Sequence, residues 1–198
     1  MNLPSCTLSL VRRAPLFALA VLAAGLMDLR VASAAAPPPA KESQLKAAFV
    51  YNFLKFVEWP AQSFANSDSP LVVGVAGHAP MLGVLEAAVK ARKVNGHPIL
   101  VRLVERPADA GAVHALFIPA AEDSQLEAWL RLPAASGVLT IGESEAFGAR
   151  GGIITFVLEG DKMRFNIDMV SADQAGLKIS AQLQKLARSV RSKKQPGP

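Results

Sequence analysis

From Glu42 onward, apolar residues recur at three- and four-residue steps, at Leu45, Ala48, Phe49, Phe53 and Phe56. The spacing predicts a helix with one buried face, stopped by Pro60. Residues 71–76 (Leu-Val-Val-Gly-Val-Ala) form a short, continuously apolar, β-branched run, which suits a strand covered on both faces. After Gly77-His78-Ala79-Pro80 a helix is expected to about Ala91, with Met81, Leu82, Leu85, Ala88 and Val89 inward. Asn95-Gly96-His97-Pro98 reads as a turn, followed by an alternating strand over 99–104. A buried strand at 113–118, a short helix at 124–132 ended by Pro133, a strand at 138–141 and a helical turn through Phe147 continue the alternation.

Strands alternating with helices predict an α/β fold: three layers, with a mostly parallel sheet flanked by helices and right-handed crossovers. The end of the chain breaks the rule. Only Glu159-Gly160-Asp161-Lys162 separates the apolar runs 153–158 and 163–167, a link so short that it requires an antiparallel hairpin. A closing helix is expected to carry Ile179, Leu183, Leu186 and Val190 on one stripe, with Gln182, Lys185, Arg188 and Arg191 outside it. Gly151-Gly152 permits an unusual backbone turn into the hairpin.

The beginning of the chain has a different character. Arg12 and Arg13 precede an apolar run over 16–27, and Ala32-Ser33-Ala34 supplies small residues for cleavage, so residues 1–34 read as a signal peptide, of the general secretory kind. Residues 35–41 read as an Ala/Pro linker, 42–190 as one domain and 191–198 as a disordered basic tail. The apolar run is shorter than the roughly 20 residues that span a bilayer, so no membrane insertion is expected once the signal is removed. The lone cysteine, Cys6, falls within the signal, and stability must come from packing without disulfides.

Charge excludes more than it suggests. Removing the signal leaves 18 basic and 15 acidic residues, and five of the basic ones are Lys185, Arg188, Arg191, Lys193 and Lys194 near the end. The remaining 13 basic and 15 acidic residues make no basic face, so nucleic acid is a poor partner.

Candidate chemistry is sparse. Ser144 in Gly142-Glu143-Ser144-Glu145 follows a strand and precedes a helical turn, as a nucleophile elbow does. No histidine follows it in the chain, and two carboxylates flank it where an oxyanion would have to develop. A helix-capping role fits Ser144 better. His78, His97 and His114 lie on three different elements and no cysteine joins them, so no metal site and no cofactor is expected. His97 reads as an exposed turn residue and His114 as a hydrogen-bonded histidine at the rim of the core. Gly77, His78 and Pro80 sit where a parallel strand gives way to a helix, the place where open α/β sheets bind ligands. With Ser144 they form the candidate ligand-binding set. The first helix carries bulky groups on more than one face, which serves either the core or a partner surface. Lys55, Glu58 and Trp59 at its end, with Arg164 and Asn166 on the outward side of their strand, form the candidate partner-binding set.

Four motifs in order give the chain a family resemblance. They are Lys46-Ala-Ala-Phe-Val-Tyr-Asn-Phe-Leu-Lys-Phe-Val-Glu-Trp-Pro60, Gly151-Gly152 with its Ile-rich strand, Met163-Arg-Phe-Asn-Ile167, and Ala175-Gly-Leu-Lys-Ile-Ser-Ala-Gln-Leu183 with Leu186-Ala187. Over roughly 43–190 the sequence resembles the YfiR-like family of periplasmic proteins. The resemblance implies a dimeric, non-catalytic repressor that binds the periplasmic part of an inner-membrane diguanylate cyclase and restrains cyclic-di-GMP synthesis, and with it exopolysaccharide and biofilm formation. Family members often carry a cysteine near the strand that here reads Ala112-Val113-His114. Redox control by a disulfide is therefore not available to this chain. The alternatives are a periplasmic small-ligand sensor, with a pocket at Gly77, His78 and Pro80 or at 140–144, and a hydrolase using Ser144.

Overall fold

The computed structural model describes residues 39–77, 80–132 and 136–193. The signal peptide, most of the linker, His78 and the last five residues of the tail lie outside them. The first helix, α1 (Pro39–Lys55), begins three residues earlier than the apolar spacing indicates. Proline suits a helix start because the amide it lacks would have no partner there. Residues 39–41, assigned to the linker from sequence, are thus the first turn of α1. Past Lys55 the chain extends as β1 (Val57–Glu58).

Eight strands form the main sheet in the order β10-β8-β7-β6-β5-β2-β4-β3. They are β2 (Leu71–Ala76), β3 (Lys93–Val94), β4 (His97–Val104), β5 (Ala115–Ile118), β6 (Leu139–Gly142), β7 (Ile154–Glu159), β8 (Lys162–Asp168) and β10 (Ser189–Arg191). Strands β4, β2, β5, β6 and β7 run parallel, whereas β7 and β8 make the expected antiparallel hairpin. Between β2 and β4 lies α2 (Met81–Val89), and after β5 come a 3-10 segment (Ala120–Gln125) and α3 (Leu126–Leu130). The helices α4 (Glu145–Ala149), α5 (Met169–Gln174) and α6 (Ala181–Leu186) follow. A separate two-stranded ribbon pairs β1 with β9 (Lys178–Ile179), Val57 opposite Ile179.

Strand alternation divides the interior into two cores. In β5, Ala115 and Phe117 face a core with α1 and α2, while Leu116 and Ile118 face a core with α3 and α4. Three layers result, because a parallel sheet must be covered on both faces. On the α1 side Phe49, Phe53, Phe156 and Phe165 form an aromatic cluster with ring centroids 4.9–6.0 Å apart. On the other side Phe147 fills the space that Gly152 leaves: a Cβ on Gly152 would stand 2.0 Å from the ring. Gly151 supplies the unusual turn, at φ +91°. The two glycines thus have separate tasks.

The closing helix differs from expectation. It ends at Leu186, and the chain then joins the sheet as β10, parallel to β8 with Val190 beside Ile167. Ile179 and Leu183 are buried as the stripe requires, but Leu186 is 63% exposed and Val190 37%. The reason is backbone pairing: the Arg188 amide donates to Phe165 O at 2.8 Å, and the Arg191 guanidinium pairs with the buried Asp168 carboxylate. Arg191, read from sequence as the start of a disordered tail, is therefore a strand residue. The Asn95-Gly96 turn also does more than expected. Both residues have positive φ (51° and 91°) and close a β3–β4 hairpin, so His97 belongs to a strand.

Candidate functional site

Four places on this frame hold the chemistry-bearing side chains, and the carboxyl ends of the parallel strands are the first. Chain order places the topological switch between β2 and β5, since β4 adds on one side of β2 and β5 on the other. There Gly77 (φ +65°) lies under the Glu122 side chain so closely that a Cβ would meet its Oε1 at 1.9 Å. Trp129 Nε1 donates to Glu122 Oε2 at 3.0 Å and fixes the carboxylate in that position. Pro80 precedes α2 as its cap residue, without a side-chain bond.

Ser144, next to this crevice, has its hydroxyl engaged on both sides. It donates to Asp123 Oδ1 at 2.7 Å and accepts from the Phe147 amide at 3.0 Å, capping α4. Its neighbour Glu143 accepts from Lys46 Nζ at 2.7 Å and from the Ala120 amide at 3.2 Å. Burial opposes the Lys46 charge, but bonds to Glu143 and Glu42 outweigh it and its pKa is raised. These groups tie α1 to the sheet, and the acceptor beside the serine is the Asp123 carboxylate, with no histidine bonded to either among the described residues. Nor does any group of three or more His, Cys, Asp or Glu there have the arrangement to hold a metal ion.

The second place is an apolar groove of about 440 Å³ between α1, β8 and α6. Phe49, Phe56, Met163 and Leu186 line it, with Asn52, Lys55 and Arg164 at its border. Lys55 Nζ stands 5.6 Å from the Tyr51 ring centroid and 5.9 Å from that of Phe56. Arg164 keeps a loose pair with Glu159 at 3.7 Å, a distance and exposure that leave it available to a partner.

The third is a smaller groove at the amino ends of the strands, bordered by Glu58, Trp59, Phe64 and His97. Trp59 Nε1 donates to His114 O at 3.0 Å. The Phe64 ring is stacked between two imidazoles, His97 at 3.9 Å and His114 at 4.5 Å, within 13° of parallel. His97 is thus half-buried in a stack, where the sequence suggests an exposed turn residue. The fourth is a polar cleft of about 500 Å³ on the far face of the β7–β8 hairpin, where Thr155, Asn166, Asp168, Arg188 and Arg191 meet. Burial works against the Asp168 charge, yet Arg191 and Ser171 hold its pKa below the usual value.

The structure therefore separates residues that the sequence groups together. Lys55 and Arg164 border one groove; Glu58 and Trp59 border another; Asn166 lines a cleft on the opposite face. The turn after α1 is responsible, because Phe56 N bonds back to Phe53 O and sends Glu58 and Trp59 away from Lys55. Sequence reasoning misses Met163 and Leu186, whose groove forms only where the hairpin meets two helices distant in sequence. It also misses Phe64, a lone aromatic in a Ser/Asn/Asp-rich loop, which is the one signal that could have singled it out.

A family model described as DUF4154, YfiR/HmsC-like, matches residues 43–188. The chain belongs to the YfiR/HmsC-like family. No curated protein matches this YfiR/HmsC-like chain. Among solved structures, it is similar to a conserved domain protein from Vibrio cholerae O1 biovar El Tor strain N16961, at 12% identity and a TM-score of 0.51. That match covers 75% of this chain and 60% of the other, so the family member spans less than two thirds of its structural relative. An ABC domain in complex with L-Trp from Streptococcus pneumonia gives 12% identity over the same shares, with a TM-score of 0.46. Among the described residues no helix of this family member is long and apolar enough to cross a membrane.

Proposed function

We propose that the protein is an exported regulator that restrains an inner-membrane diguanylate cyclase by contact, working in the periplasm as a homodimer and limiting cyclic-di-GMP and biofilm formation. Family membership supports the regulatory reading. The observation that carries the contact mechanism is the groove between α1, β8 and α6. It combines an apolar floor, a 63% exposed Leu186 and basic groups at Lys55 and Arg164. Such a surface fits an amphipathic segment with acidic flanks, since apolar anchors give affinity and complementary charge gives register.

The test is complementation of a deletion strain. Loss of the gene should raise cyclic-di-GMP and the wild type should bring it back down. Leu186→Asp fails to restore it while changing folding stability by no more than about 0.5 kcal/mol, as expected of an exposed side chain. Full restoration by the variant would exclude the groove, and unchanged cyclic-di-GMP on deletion would exclude the cyclase. Light scattering of the purified protein measures the dimer directly.

The polar cleft favours a second reading, a small-ligand sensor, because Asn166 Oδ1 is buried there without a hydrogen-bond partner. A thermal-shift screen with zwitterionic ligands tests it, and a shift that Asn166→Leu abolishes is the supporting result.

A further inference from the structure

The segment 59–70 has little regular structure, a single 3-10 turn (Ala61–Ser63), yet it is pinned to the sheet from several directions. Each fastening involves a histidine. His114 Nε2 meets Ser63 O at 2.9 Å, His97 Nδ1 meets Ser69 O at 2.7 Å, and Trp59 Nε1 donates to His114 O. Phe64, the segment's apolar anchor, has an imidazole on each face. We propose that the His97–Phe64–His114 stack is a proton-sensitive clamp, which holds segment 59–70 on the amino ends of the strands and releases it when the pH falls.

The hydrogen bonds show which histidine decides. The Val72 amide donates to His114 Nδ1 at 3.0 Å, so that nitrogen carries no proton, and Nε2 must bear the hydrogen that Ser63 O accepts. Both ring nitrogens are in use. A second proton would go to Nδ1 and face the Val72 N–H, donor against donor, so the charged ring has to swing out. It then gives up Ser63 and one face of Phe64 together. The strand itself stays, because the His114 amide donates to Val72 O and its carbonyl accepts from the Leu139 amide. His97 is different: its Nδ1–H is the donor to Ser69 O, and a proton added at Nε2 breaks no bond recorded in the structure.

The surroundings supply no compensating anion. From β4 come His97 and Arg102, whose guanidinium donates to Ala112 O at 3.0 Å; from β3 comes exposed Lys93; from the segment, exposed Asp68; from β1, Glu58 on the groove beside His97. β2, β5 and β6 bring no ionisable group. Of these neighbours, His97 is the one whose charge acts on His114, and it opposes a second charge there. Burial pushes the His114 pKa down, a shift that the Ser63 bond only partly offsets. The neutral form thus belongs to the folded clamp. Stability from this group is present above about pH 6.5 and falls away below it, down to the lower value of the folded state. The clamp is a property of the fold and does not depend on the identity of the partner.

Hydrogen exchange of the purified protein at about pH 7.5 and about pH 5, corrected for intrinsic rates, tests the clamp. Amides of 59–70 should lose protection by about tenfold or more at the lower pH while α2 and β5 keep theirs. His114→Asn retains an acceptor for Val72 without titrating, and its segment should be protected alike at both pH values. Equal protection of the wild type at both values, or an unchanged fall in His114→Asn, overturns the proposal. If that variant does not fold, NMR titration of the wild-type imidazoles decides. His114 must titrate below about 6.5 in step with the 59–70 amides; titration at or above that value, or out of step, overturns the clamp.

Discussion

Ser144 shows how much a residue's role depends on its partners. Its hydroxyl caps α4 and binds Asp123, so its chemistry is spent on structure. Ser144→Ala should lower stability by about 1 kcal/mol, the usual worth of a cap, as read by urea denaturation. Asp168 has a similar task at the other end of the sheet: it accepts from the Val170 and Ser171 amides and pairs with Arg191. Its pKa is lowered on folding, so its contribution is complete above the unfolded value near 3.8 and is lost as pH falls through the lower folded value. Urea denaturation between about pH 6 and about pH 2 should show this loss below the His114 window, and Asp168→Asn should remove it. The neighbouring carboxylates Glu143 and Glu122 are likewise held by Lys46 and Trp129, which is why a crevice suited by topology to ligands is filled with side chains.

Among the elements, the short strands matter most. The β3–β4 hairpin depends on two consecutive residues at positive φ, and Asn-Gly is among the few pairs that adopt this readily. Gly96→Ala should therefore cost about 1 kcal/mol through backbone strain alone, since nothing stands within 4 Å of the added methyl; a thermal melt measures it. β10 is the opposite case. Its residues Ser189, Val190 and Arg191 are all exposed and carry a helix-compatible pattern, yet they pair with Asn166, Ile167 and Asp168. Backbone hydrogen bonds and one buried carboxylate outweigh local preference, because leaving that carboxylate and the β8 edge unpaired is costly. The same competition shortens α6 and exposes Leu186, and so creates the groove at which partner binding is proposed.

At the scale of the whole molecule, two cores share one sheet and no disulfide links them, the only cysteine being Cys6. Packing has to suffice. Phe53, fully buried and touching three other aromatic rings, is the centre of the larger core. Phe53→Ala should cost about 3–5 kcal/mol, by lost transfer energy and the cavity left behind, in equilibrium unfolding. α1 also joins the parts of the molecule. Its start is tied through Lys46 to Glu143, its middle forms the aromatic core, and its end borders the apolar groove. Both the proposed partner binding and the stability thus draw on one helix.

The layers, the parallel sheet, the hairpin at 153–167 and the capping role of Ser144 were all legible in the chain. Periodicity, turn chemistry and short links are local and act wherever the residues occur. Pairing between distant segments is not local. The β1–β9 ribbon, the entry of β10 into the sheet, the stacking of Phe64 between two histidines 17 residues apart in sequence, and the placing of Lys55 and Arg164 on one groove each depend on which segments come together in space. Tertiary packing decides that, because the free energy of a contact between remote residues exists only once the layers have assembled.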